Sequence, residues 1–154
     1  MSRLSSIKAI LREQERCCKD LVELLQKERS RLVDLDVQAL EELLKEKDTL
    51  LLRLRFLDEE RQRIILKLSK EWPGQNAEDL SLRVLAEKAG DAELSEIRLK
   101  LVSLTQSIND LNSFNRRLVD RSLSGVRSAR GIFDASGGWS SEQSMSGTLF
   151  SKET

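Results

Sequence analysis

No histidine and no tyrosine occur among the 154 residues, and the chain has one proline, seven glycines and two cysteines. The missing imidazole removes the commonest general base, nucleophile activator and transition-metal ligand. Ser-His triads, histidine zinc sites and Glu-x-x-His di-iron bundles are therefore excluded. No enzyme is expected, and no cofactor. Cys17 and Cys18 are neighbours, pointing about 100° apart on a helix, so they neither staple a loop nor cage a metal. They read as reduced, buried, small apolar side chains in a cytoplasmic protein. The longest apolar runs are three-residue pieces such as Leu50, Leu51 and Leu52, so neither a secretory leader nor a membrane span is expected.

What the chain does have is leucine and charge. Charged residues make up 34% and apolar residues 39%, with 26 basic groups balancing 26 acidic ones. Few turns and many Leu, Glu, Lys and Arg are the composition of long amphipathic helices. Residues 1–96 hold 18 basic and 21 acidic groups, and residues 97–154 hold 8 and 5. That asymmetry is far below the positive field a dedicated nucleic-acid binder needs, and no nucleic-acid partner is expected. Carboxylate pairs such as Glu41-Glu42 and Glu59-Glu60 have Lys45 and Arg63 four places on, the pattern of solvated helix surface.

Leu4, Ile7, Leu11, Cys18, Leu21, Leu25 and Leu32 recur in steps of three and four, with Gln14 and Glu28 interrupting. This is a heptad stripe on one long helix. Asp34 and Asp36 interrupt the pattern and suit the start of a following helix. The second helix carries Leu40, Leu44, Leu51, Leu54, Leu57, Ile64 and Leu68, with Leu43, Leu50 and Ile65 widening its stripe. Trp72-Pro73-Gly74 ends it. Asn76, Glu78 and Asp79 mark a short helix that stops at Gly90, and Asp91 caps the longest helix. The fold expected is all-α: an elongated, coiled-coil-like antiparallel bundle of three long helices plus one short helix. Its helices are placed at about 3–33, 37–71, 77–89 and 92–132 within a bundle spanning residues 1–133. A flexible Ser/Gly-rich tail is expected over residues 134–154.

Leu94, Ile97, Leu101, Leu104, Ile108 and Leu111 make an uninterrupted stripe on the last helix, after which Asn115 and Ser122 occupy seam positions. The apolar residues beyond, Val119, Leu123 and Val126, shift to another face. Arg116, Arg117, Arg121, Arg127 and Arg130 cluster there against one acid, Asp120. The tail carries Trp139, Met145, Leu149 and Phe150, apolar residues that a purely solvating segment would not hold.

Residues 24–54, LLQKERSRLVDLDVQALEELLKEKDTLLLRL, resemble the FlgN family of flagellar export chaperones. The family pattern of a Glu-Arg segment, an Asp-containing break, a Leu-rich stretch and a Glu-Lys pair is matched here. It appears as Glu28-Arg29, Leu35-Asp36, Leu40 to Leu44, and Glu46-Lys47. The closing helix is similar too, with Leu111-Asn112, Asn115, Leu118-Val119 and Ser122-Leu123 before an Ile132-Phe133-Asp134 ending. Phe133 stands where the family often has Tyr.

The resemblance implies a small cytoplasmic helical protein, not inserted in membranes. It would bind the C-terminal helices of hook-filament junction proteins, keep them unpolymerised and deliver them to the type III export apparatus. It also implies that clients bind largely through the C-terminal helical region. Val119, Leu123, Val126 and Phe133 are then the candidate client contacts, because polar Asn115 and Ser122 weaken the internal seam beside them. The same residues could instead pack inside the bundle like any other stripe. The five arginines either steer an acidic client segment or form solvated surface near a helix end. Trp139, Met145, Leu149 and Phe150 are candidate tail contacts. The alternative function is a coiled-coil scaffold unrelated to flagella. Stripes this wide can close within one chain or across two, so the oligomeric state is open.

Overall fold

Leucine at every third or fourth position, with no proline before Pro73, builds two helices of more than thirty residues at the start of the chain. In the computed structural model these are α1 (Arg3–Asp34) and α2 (Val37–Glu71), followed by a short α3 (Leu82–Ala89) and a long α4 (Ala92–Arg130). The structure describes residues 3–72 and 80–130, with side chains as far as Ser124. Among the described residues there is no strand, as the composition requires.

Two junctions are made by the same device. At the end of α1, Leu35 adopts a left-handed φ of 56°, and its N–H and that of Asp36 donate back to the carbonyls of Leu32 and Arg31. Asp36 then caps α2 by accepting from the Ala39 N–H at 3.1 Å. At the end of α3, Gly90 takes φ 61°, and the N–H groups of Gly90 and Asp91 donate to Glu87 and Ala86. Asp91 caps α4 by accepting from the Leu94 N–H at 3.1 Å. Both junctions satisfy orphan carbonyls on one side and orphan amides on the other within two residues.

One expected boundary is corrected. The short helix was placed at 77–89, but Leu80 and Ser81 are not helical and α3 begins at Leu82, capped by the Ser81 hydroxyl, which accepts from Val84. Residues 77–79, with the proposed Asn76, Glu78 and Asp79 start signal, lie outside the described residues. The last two positions of the helix expected at 92–132, and the tail of 134–154, lie outside them as well.

Charge pairs fix the directions. Arg3 pairs with Glu71, Glu13 with Arg53 at 2.7 Å, and Glu28 with Lys47 at 2.7 Å, so α2 runs antiparallel to α1. Lys8 pairs with Asp91 at 2.5 Å and Arg12 with Glu93, while Asn115 meets Glu28 further along. Therefore α4 runs parallel to α1. Both α2 and α4 pack along α1, and they make few contacts with each other.

The helix in the middle needs two apolar faces. Besides the expected stripe of Ile7, Leu11, Cys18, Leu21, Leu25 and Leu32, α1 buries Cys17 and Leu24. Facing residues in the core include Leu54, Ile65 and Leu68 from α2, Leu82 and Leu85 from α3, and Leu94, Ile97, Leu101 and Ile108 from α4. Both thiols behave as small apolar side chains: burial pushes the Cys18 thiol up to about 12 and also raises Cys17, so neither is a thiolate at neutral pH.

Candidate partner-binding surface

Beyond Leu111 the seam between α1 and α4 becomes polar at one level. Asn115 is buried, and its side-chain amide donates to the Leu25 carbonyl at 3.0 Å and to Glu28 Oε1 at 2.8 Å. Lys47 Nζ closes the layer on the other oxygen of Glu28. Side chains from all three long helices therefore meet here, the Glu28 and Lys47 side chains being only 14% exposed. Such a layer sets register, because any slip would leave a buried charge or amide unpaired. The expectation that Asn115 weakens the internal seam is corrected: it fills the seam with two donated hydrogen bonds. Just outside, the Arg29 guanidinium lies 5.8 Å from the centre of the Phe114 ring, a cation–π distance.

Past that layer α4 outruns its support. Glu28 and Asn115 are 87 residues apart in sequence, and equal rise along parallel helices carries the end of α1 at Asp34 to about residue 121 of α4. From there to Arg130 the helix continues for about 14 Å beyond the α1–α2 turn. Val119 and Leu123 are half-buried, as are Leu118 and Ser122. Val119 lies level with Leu32 by the same register, whereas Leu123 falls past the last turn of α1. Arg116, Arg117 and Arg121 are exposed. The backbone at Val126, Arg127 and Arg130 is helical, but their side chains lie outside the described part. So do Phe133, Trp139, Met145, Leu149 and Phe150.

Beside this overhang the α1–α2 turn presents an apolar patch that the heptad pattern does not reveal. Val33, Leu35 and Val37 are exposed, Leu35 at 63%. Periodicity misses them because they belong to no stripe. The signal available is the Leu35-Asp36 pair itself, matching Gly90-Asp91 at the other junction with leucine in the position that glycine fills there.

The family model for FlgN protein matches residues 1–136. The chain belongs to the FlgN family. No curated protein and no solved structure matches it. FlgN proteins are flagellar export chaperones, and that role extends to this member in its general form. The matched span includes the Ile132-Phe133-Asp134 ending and stops before most of the Ser/Gly-rich segment. Among the described residues of this FlgN chain, no helix is long and apolar enough to cross a membrane.

Proposed function

We propose that this FlgN-family protein is a cytoplasmic, non-catalytic chaperone that binds the C-terminal helices of hook-filament junction proteins. It holds them unpolymerised and passes them to the type III export apparatus. The client helix lies along the end of α4, on Val119, Leu123 and Val126 with Phe133 beyond, and reaches the turn residues Val33, Leu35 and Val37. The supporting observation is the overhang: the backbone of α4 continues to Arg130 while α1 ends at Asp34.

An amphipathic helix docks by laying its apolar stripe into such a surface. Each side chain newly buried contributes on the order of 1–2 kcal/mol before ordering costs, so several are needed for micromolar binding. Arg116, Arg117 and Arg121 rim the surface and suit an acidic flank on the client, with Arg127, Arg130 and the tail residues Trp139, Met145, Leu149 and Phe150 as further contacts. Co-purification tests the reading. A soluble complex with a hook-filament junction protein is expected, lost when the client's C-terminal helix is deleted. A complex that survives that deletion, or no complex with any junction protein, sinks it in favour of a general scaffold.

A further inference from the structure

The apolar patch at the α1–α2 turn and the chain that follows α4 start from the same end of the molecule. Val33, Leu35 and Val37 are 66%, 63% and 56% exposed. With Glu28 in register with Asn115, an overhang of about 14 Å and an interaxial spacing of about 10 Å put the end of α4 roughly 17 Å from that patch. Residues 131–154 follow, a Ser/Gly-rich stretch that nevertheless carries Trp139, Met145, Leu149 and Phe150. These four lie beyond the span that the family model matches, which ends at residue 136.

Reach and charge both match. A Gly/Ser-rich chain spans about 5–6 Å times the square root of its length, so about 15–18 Å separates Arg130 from Trp139 and about 25 Å separates it from Phe150. The tail's apolar residues are thus tethered at the span where a linker is most effective and the local concentration reaches the millimolar range. A contact too weak to hold two separate molecules together suffices at that concentration. Residues 131–154 also hold Asp134, Glu142 and Glu153 against Lys152, whereas residues 116–130 hold five arginines against Asp120. The opposite signs favour the return of the tail to its own helix end.

We propose that residues 137–154 fold back over Val33, Leu35 and Val37, with Trp139 and the Leu149-Phe150 pair as the main apolar contacts, and occupy this surface until a client displaces them. Exchanging the tail for the client keeps an apolar patch out of water in the empty protein as well as in the loaded one. The client then meets a surface that is free only part of the time, and its apparent affinity is lowered by that fraction. This consequence rests on the client reading, whereas the contact between tail and turn does not.

Two readouts on the full chain test this. The emission of Trp139 is isolated as the difference between wild-type and Trp139→Phe protein, Trp72 being common to both. It is expected to be blue-shifted and shielded from acrylamide relative to the same chain in urea, equally at all protein concentrations. Leu35→Gly should abolish that shielding while the helical circular dichroism persists. A Trp139 as open to quencher in the native protein as in urea overturns the proposal. Shielding that survives Leu35→Gly does the same, as does shielding that grows with concentration, which would place the tail on another copy. Removing residues 137–154 takes away no described residue and should tighten binding of a junction protein's C-terminal helix about two- to tenfold. Unchanged binding overturns the occlusion, and weaker binding makes the tail part of the client site instead. If no junction protein binds either form, the client reading fails, and the emission of Trp139 still decides whether the tail docks.

Discussion

Leu35 and Gly90 occupy equivalent places in two junctions of the same construction, yet only one of them is the residue the backbone prefers. A left-handed conformation costs a side-chain-bearing residue on the order of 1 kcal/mol relative to glycine. At Leu35 the side chain recovers little of that by burial, since it is 63% exposed. A strained, exposed leucine between exposed Val33 and Val37 is accounted for if the side chain serves a contact outside the chain. Leu35→Gly should then stabilise the protein, or leave it unchanged, by about 0–1 kcal/mol while weakening client binding. Chemical denaturation and a client titration on the same sample check both signs. A variant that loses stability would show that Leu35 supports the fold. At Gly90 the reverse holds: a Cβ would meet nothing within 4 Å, so Gly90→Ala should cost only the backbone strain of about 1 kcal/mol, readable as a lower denaturation midpoint.

At the scale of elements, polar ties decide how the helices align, and these are the features periodicity conveys least. Alternating steps of three and four residues disclosed four helices and most of their limits, because amphipathic spacing and Pro, Gly and Asp signals are local. They did not disclose that α1 stands between its two long partners. Cys17 and Leu24 fall off the heptad stripe, and only a tertiary neighbour gives them a reason to be buried. Nor did they disclose the start of α3, since a serine cap at Ser81 competes with an equally plausible acidic start upstream. Asn115 was legible as an anomaly but misread, because a polar residue in a stripe looks like a gap until its acceptor on another helix is known. Asn115→Ala removes two donated hydrogen bonds and leaves the Glu28 and Lys47 pair short of a partner, so a loss of about 1–3 kcal/mol is expected by denaturant titration.

The partly buried carboxylates of two of these ties predict a pH response. Arg53, with Arg16, holds the Glu13 carboxyl below its usual range, and Lys8, with the Leu94 N–H, does the same for Asp91. A carboxyl whose folded pKa is depressed contributes stability that is complete above the unfolded pKa and is lost as pH falls through the folded value. The melting temperature should therefore be flat from neutrality to about pH 5 and fall below about pH 4. Glu13→Gln and Asp91→Asn should flatten that fall, whereas an unchanged acid slope in the double variant would remove these two groups from the account.

On the scale of the whole molecule, the consequence of three helices of unequal reach is that the packed core and the proposed client surface occupy different lengths of α4. The segment from Ala92 to about residue 121 is matched by α1, and its buried leucines and isoleucines hold the core together. From Ser122 to Arg130 the backbone of α4 runs past the end of α1 at Asp34, with Ser122 and Leu123 still half-buried at its start. The overhang was legible only in part. Sequence pattern showed a change of face after Leu111, but where α1 runs out depends on the register fixed by Asn115 and Glu28. Removing residues 122–154 should accordingly lower the melting temperature by no more than a few degrees, with the near-complete helical signal of the first three elements retained. Client binding should fall by at least tenfold, equivalent to about 1.4 kcal/mol, and that loss should be much the same at low and high salt, because the lost contacts are chiefly apolar. Thermal melts and client titrations at low and high salt separate the outcomes. A truncated chain that unfolds early would mean that the last turns of α4 belong to the core, and one that binds at full strength would move the client surface to the α1–α2 turn alone.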